Sequence, residues 1–252
     1  MTDTGTGLYL ELLKKVLTNR IQMDTPSAWP AGPGGAADGE DGEDQARPAA
    51  FSAHTMVSPE SLDNVQYCVE RALADGVPGD LIETGVWRGG ICVLMRAILK
   101  AHGVEDRRVW VADSFEGVPE SGEGSHPLDQ EMALHNLNTV LSVSADAVRA
   151  VFKSYDLLDE QVEFLEGWFS ETLPAAPIES LAVLRLDGDL YVSTMDSLSA
   201  LYPKLSPGGF VIIDDYNMEG CRTAVHEYRD AHGIKEEIKA ADSVGVWWRK
   251  ES

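Results

Sequence analysis

Acidic residues recur in this chain at the ends of apolar runs: Glu83-Thr84-Gly85, Asp113-Ser114, Glu166-Gly167-Trp168, Asp187-Gly188-Asp189 and Asp214-Asp215-Tyr216. Asp214 follows Asp187 by 27 residues, the length of one helix and one further strand. Together, Asp187, Asp214 and Asp215 would make an all-oxygen site suited to Mg²⁺ or another hard divalent ion. Asp189 lies two residues beyond Asp187, and in an extended chain both carboxylates face one cavity. Each motif alone also reads as something plain, Asp-Gly as a turn and Asp214 as a helix cap. Gathered at neighbouring strand ends they repel one another, which is costly unless a cation neutralises them.

The turn ETGVWRGG supplies Gly85, Gly89 and Gly90 for a tight strand-to-helix connection and a close approach of ligand to backbone amides. A dinucleotide fold uses GxGxxG here and needs donors for a pyrophosphate, whereas Glu83 would repel one. A carboxylate at this point suits a cationic ligand. Asp113, 30 residues on, is placed to accept hydrogen bonds from both hydroxyls of a ribose. A ribose without a pyrophosphate points to S-adenosylmethionine.

These residues must be positioned by an alternating α/β chain. The pattern predicts strands over 80–86, 108–115, 161–167, 181–189 and 208–216, with helices over 90–102, 145–155 and 221–232 and another ending at Leu201. A helix from Ser58-Pro59 to Gly76 feeds the first strand, and residues 119–138 read as a polar insertion. The last two runs, EEIKA and VGVWWRK, are joined by so few residues that they must pair antiparallel. The expected architecture is a mainly parallel sheet covered on both faces, with an antiparallel last strand, whose ligand crevice lies at the carboxyl ends of the strands.

Residues 1–24 hold an amphipathic helix whose stripe of Leu8, Leu12, Leu13, Val16, Leu17 and Ile21 needs cover, either within the subunit or at a homo-oligomer contact. Residues 25–50, rich in Pro, Gly, Ala and acids, read as a flexible linker or a lid, and residues 51–252 form the main domain. The 252 residues carry 20 Lys and Arg against 42 Asp and Glu, a net charge of −22 that repels nucleic acid and anionic membranes. The start lacks the features of a secretory leader, so a cytoplasmic location is expected. Cys68, Cys92 and Cys221 show neither a disulfide framework nor zinc spacing.

ETGVWRGG, WVADSFEGVP, LRLDGDLYVSTMDSL, LSPGGFVIIDDY and VHEYRDAHGI, with AHTM at 53–56, HPLDQEM at 126–132 and GWF at 167–169, resemble the macrocin and mycinamicin O-methyltransferases. They are also similar to the novobiocin-pathway deoxysugar methyltransferase. The resemblance implies a seven-stranded Rossmann-like class I methyltransferase fold, S-adenosylmethionine as methyl donor and Mg²⁺ holding a sugar hydroxyl of a glycosylated natural product. It assigns the metal to Asp187, Asp214 and Asp215, and the base to Asp189. It assigns cofactor contacts to Glu83, Thr84, Gly85, Arg88, Asp113 and Ser114, with Thr55, Met56, Gly167 and Trp168 lining the same cleft. The chain has DGDLY where the macrolide members carry DGDSY, which leaves the acceptor open.

His135, from the insertion, is a rival base or substrate contact because imidazole titrates near the working pH. A vicinal diol is the expected acceptor, since two adjacent hydroxyls can take two cis positions of an octahedral ion. Three alternatives stay open: a catechol-type O-methyltransferase acting on an aromatic diol, a metal-dependent hydrolase, and a non-catalytic cofactor-binding protein.

Overall fold

The computed structural model describes residues 4–22 and 53–251, so the expected linker or lid at 25–50 lies outside the described residues. Seven strands form one sheet: β1 (Asp80–Thr84), β2 (Val109–Asp113), β3 (Val162–Glu166), β4 (Leu181–Leu186), β5 (Leu205–Ile213), β6 (Lys239–Ala240) and β7 (Val246–Arg249). Their spatial order is β3-β2-β1-β4-β5-β7-β6. The first five run parallel, and β7 lies antiparallel to both β5 and β6, as the short final connection requires.

Helices α1 (Thr4–Leu17), α2 (Pro59–Ala74), α3 (Gly90–Ala101) and α6 (Ala145–Ser154) contribute to a core on one face of the sheet. On the other face pack α7 (Phe169–Ala175), α8 (Tyr191–Leu201) and α9 (Glu219–His232). The helix starts follow from local chemistry. Ser58 Oγ accepts the Ser61 amide ahead of Pro59, Ser144 Oγ accepts the Ala147 amide, and Gly233 closes α9 in the left-handed region. Trp247 and Trp248, adjacent on β7, point to opposite faces and each joins a different core. Helix α1 buries Leu10, Leu13 and Leu17 in the first core and leaves Leu8, Leu12 and Val16 exposed, as is Ile21 in the 3₁₀ turn that follows. All three cysteines are free and buried. No helix among the described residues is long and apolar enough to cross a membrane.

One sequence expectation needs correction, and two further segments carried no legible pattern. The strand expected over 181–189 ends at Leu186, and Asp189 takes a left-handed φ of 59°, so Asp187 and Asp189 share a cavity through a turn and not through extended alternation. The 119–138 insertion is ordered into α4 (Pro127–Met132), a 3₁₀ turn at Leu134–Leu137 and α5 (Asn138–Leu141), pieces too short to show periodicity in the sequence. Helix α7, with Pro174 inside its seven residues, was masked for the same reason.

Phe152 is fully buried on α6, with its ring edge-on to Phe164 of β3. Phe152→Ala should cost about 3–5 kcal/mol in chemical denaturation, and a loss below about 1 kcal/mol would show that this face of the sheet is not close-packed.

Candidate active site

The carboxyl ends of β1, β2, β4 and β5 open into a cavity of about 790 Å³, within the usual range for small-molecule sites. Gly85 turns the chain at the end of β1 with φ 83°, and a Cβ there would lie 1.7 Å from the Asp187 carbonyl oxygen. Only glycine lets the first turn pass so close to the acidic one. Gly90 opens α3 against the segment carrying Thr55, its amide donating to the His54 carbonyl at 3.0 Å.

Asp113 closes β2 and is fixed by backbone donors: its Oδ2 accepts the Val86 amide and its Oδ1 the Phe115 amide, both at 2.7 Å. Its carboxylate is thereby aimed at the cavity across the glycine turn. Trp168, after β3, lines the same space together with Thr55, Met56, Gly85 and Ser114.

The acids of β4 and β5 gather around a guanidinium. Arg185, fully buried on β4, pairs with Glu83, with Asp187 at 2.7 Å and with Asp214 at 2.7 Å. The other Glu83 oxygen accepts Cys92 Sγ at 2.9 Å. Burial pushes the Glu83 carboxyl up to about 8 even though it faces the Arg185 guanidinium. Its three acidic partners hold Arg185 well above its usual range despite burial. One oxygen each of Asp187, Asp214 and Asp215 lies within 4.8 Å of the others, the arrangement three ligands of one ion would need.

Neither Asp189 nor Asp215 has a cationic partner among the described residues, and the Asp189 amide donates to Asp215 Oδ2 at 3.0 Å. Desolvation and the neighbouring carboxylates push Asp189 up to about 7 and raise Asp215 further. Asp187, Asp214 and Asp215 therefore fit a divalent cation by donor type and by convergence, and Asp215 is not paired with Arg185.

Some residues expected at the site lie beside it. Thr84 is buried and its Oγ1 accepts Ser197 Oγ at 3.2 Å. The Arg88 guanidinium donates to the Ala53 carbonyl and stacks on Trp87. Gly167 donates its amide to the Asp113 carbonyl and sets up Trp168 without lining the cavity itself. His135 also falls outside the lining: its Nδ1 accepts the Ser121 amide at 3.4 Å, while its neighbours Leu134 and Leu137 face the cavity. Arg185 was missed by sequence reasoning, although a lone arginine in the apolar run LAVLRL was the available signal.

The chain matches the family described as macrocin O-methyltransferase (TylF) over residues 6–250. It is 57% identical over 249 residues to the 8-demethyl-8-(2,3-dimethoxy-alpha-L-rhamnosyl)-tetracenomycin-C 4'-O-methyltransferase of Streptomyces olivaceus, covering 99% of this chain and 95% of that one. It is 53% identical over 256 residues to the mycinamicin III 3''-O-methyltransferase of Micromonospora griseorubida, covering 99% of each. The solved structure of the O-methyltransferase NovP superposes with a TM-score of 0.88 at 48% identity, covering 98% of this chain and all of that one. The chain therefore belongs to the macrocin O-methyltransferase family.

Proposed function

We propose that this enzyme transfers a methyl group from S-adenosylmethionine to a sugar hydroxyl of a glycosylated natural product, with Mg²⁺ held by Asp187, Asp214 and Asp215. The observation that carries this reading is the convergence of those three carboxylates beside the Gly85 and Asp113 turns. The acceptors named for the two relatives above, a rhamnosyl-tetracenomycin and mycinamicin III, support a glycoside.

When bound, the cation lowers the pKa of an acceptor hydroxyl and S-adenosylmethionine supplies an electrophilic methyl group. The chain's own residues do the rest. Asp113, immobilised by two amides, keeps lone pairs for ribose hydroxyls. Asp189 takes the acceptor proton; its burial beside other acids gives it an affinity for protons suited to a base at neutral pH. Arg185 holds Glu83, Asp187 and Asp214 in place around one guanidinium. Alignment of two bound reactants can supply about 7–11 kcal/mol of the barrier, so holding these groups still is the main device.

Incubation with S-adenosylmethionine, Mg²⁺ and a panel of α-L-rhamnosides and mycinamicin III should give a singly methylated glycoside by mass spectrometry. Methylation of a catechol, with every glycoside untouched, would favour the aromatic-diol alternative. Asp187→Asn should lose Mg²⁺ affinity and activity together. Asp189→Asn should keep Mg²⁺ and S-adenosylhomocysteine binding while kcat falls about 10²–10⁴-fold, and a near-normal kcat would remove Asp189 from the role of base.

The raised carboxyls also set a pH dependence. A carboxyl whose folded pKa lies above its unfolded value of about 3.9 favours folding less as it ionises, so these groups lower stability as pH rises from about 4 through about 7. Mg²⁺ should therefore raise the melting temperature of metal-stripped protein more at about pH 7.5 than at about pH 5, and an equal increment at both would contradict the metal assignment.

A further inference from the structure

The insertion between β2 and α6 crosses the cleft like a strap and is tied to both turns that form the site. At one end the Trp87 indole, in the glycine turn, donates to the Val140 carbonyl at 2.9 Å. In between, the Asn138 amide closes the strap on itself, accepting the Val118 N–H and donating to the Val118 carbonyl, both at 2.9 Å. Midway along the insertion stands Asp129, a carboxylate only 1% exposed on α4. Its Oδ1 accepts the Tyr191 amide at 2.7 Å and its Oδ2 the Val192 amide at 3.2 Å.

Tyr191 and Val192 are the first residues of α8, whose own preceding residue, Leu190, offers no side-chain cap. Asp129 thus supplies from 62 residues away the cap that the helix lacks, with its negative charge at the positive end of the helix dipole. The stacking of the His126 ring on Tyr191, with centroids 3.8 Å apart, adds a second contact of α4 on the same helix start. Leu190 and Tyr191 follow Asp189 directly, so the docking point lies on the acidic turn itself. The strap in turn lines the cavity with Pro119, Leu134, Leu137 and Leu141, and Leu137 is 52% exposed with no core to enter.

We propose that Asp129 is a positioning residue: it locks the apolar strap to the start of α8 and so fixes the acceptor-binding wall relative to the Asp187–Asp189 turn. This rests on the methyltransferase reading above, because it takes the apolar wall to face the acceptor. In Asp129→Asn, one accepting oxygen becomes an amide that opposes a backbone N–H.

The test compares wild type, Asp129→Asn and Leu137→Ala, using the panel glycoside methylated fastest. Asp129→Asn should raise the acceptor KM about tenfold or more, with kcat within about threefold and S-adenosylhomocysteine affinity within about twofold. Hydrogen exchange should quicken in residues 117–141 and at Tyr191 and Val192, and elsewhere stay as in wild type. Leu137→Ala, at an exposed wall position, should raise the same KM without changing the melting temperature. A merely structural role predicts a lower melting temperature with KM unmoved, and that result overturns the proposal. So does a loss of S-adenosylhomocysteine affinity matching the loss for the acceptor. If Asp129→Asn does not fold, Asp129→Ser, which keeps one accepting oxygen, is read by the same criteria. Absence of methylation by the wild type with every glycoside overturns the functional reading and this role with it; wild-type turnover with an unmoved KM in the variants overturns the positioning role alone.

Discussion

Like charges crowded into a space with little water must be answered, and that requirement shapes the centre of this molecule. Glu83, Asp187, Asp189, Asp214 and Asp215 meet at the ends of three adjacent strands, and Arg185 is the cation in contact with three of them, Glu83, Asp187 and Asp214. Arg185 sits on the middle of those strands, directly across from Glu83 in the β1–β4 register, so it reaches acids on both sides. A buried ion pair of this kind contributes little net stability, because desolvation offsets the Coulombic gain. Its value lies in geometry: three carboxylates are held in place before any ligand arrives. Two further acids, Asp189 and Asp215, stay unanswered on the cavity side, which is where a divalent cation has most to offer.

The rest of the fold serves to bring distant turns to that point. Parallel strands carry the connecting segments to one edge of the sheet, so residues separated by a hundred positions meet. The contact between Gly85 and the Asp187 carbonyl couples the cofactor-side turn to the acidic turn through backbone alone. The insertion closes the arrangement from above, tied at Trp87 and at the start of α8. A pocket built from several rigid ends with an apolar strap across them can keep its chemistry constant while the strap adapts to different acceptors.

The sheet was legible because its strands are apolar runs between glycine and proline stops, and because short connections force β6 and β7 antiparallel. Acids at strand ends marked the cavity for the same reason. Other features were hidden by the limits of periodicity. A turn beginning at Asp187 cannot be told from a continuing strand when both carry small or acidic residues, so the extended reading of Asp187-Gly188-Asp189 failed even though the two carboxylates do share the cavity. His135 was singled out for its residue type, but the structure places it outside the cavity lining, with its Nδ1 accepting the Ser121 amide, a tertiary placement no spacing reveals. The docking of Asp129 on α8 is invisible for the same reason, as it joins residues 62 positions apart with no shared pattern.

The central claim is that Asp187, Asp214 and Asp215 jointly grip one divalent ion. Crystals grown with Mn²⁺ in place of Mg²⁺, measured for anomalous scattering, test it most directly. The account predicts a single strong peak bounded by oxygens of those three residues. A peak bound elsewhere, or no metal density between those three carboxylates at saturating Mn²⁺, would contradict it.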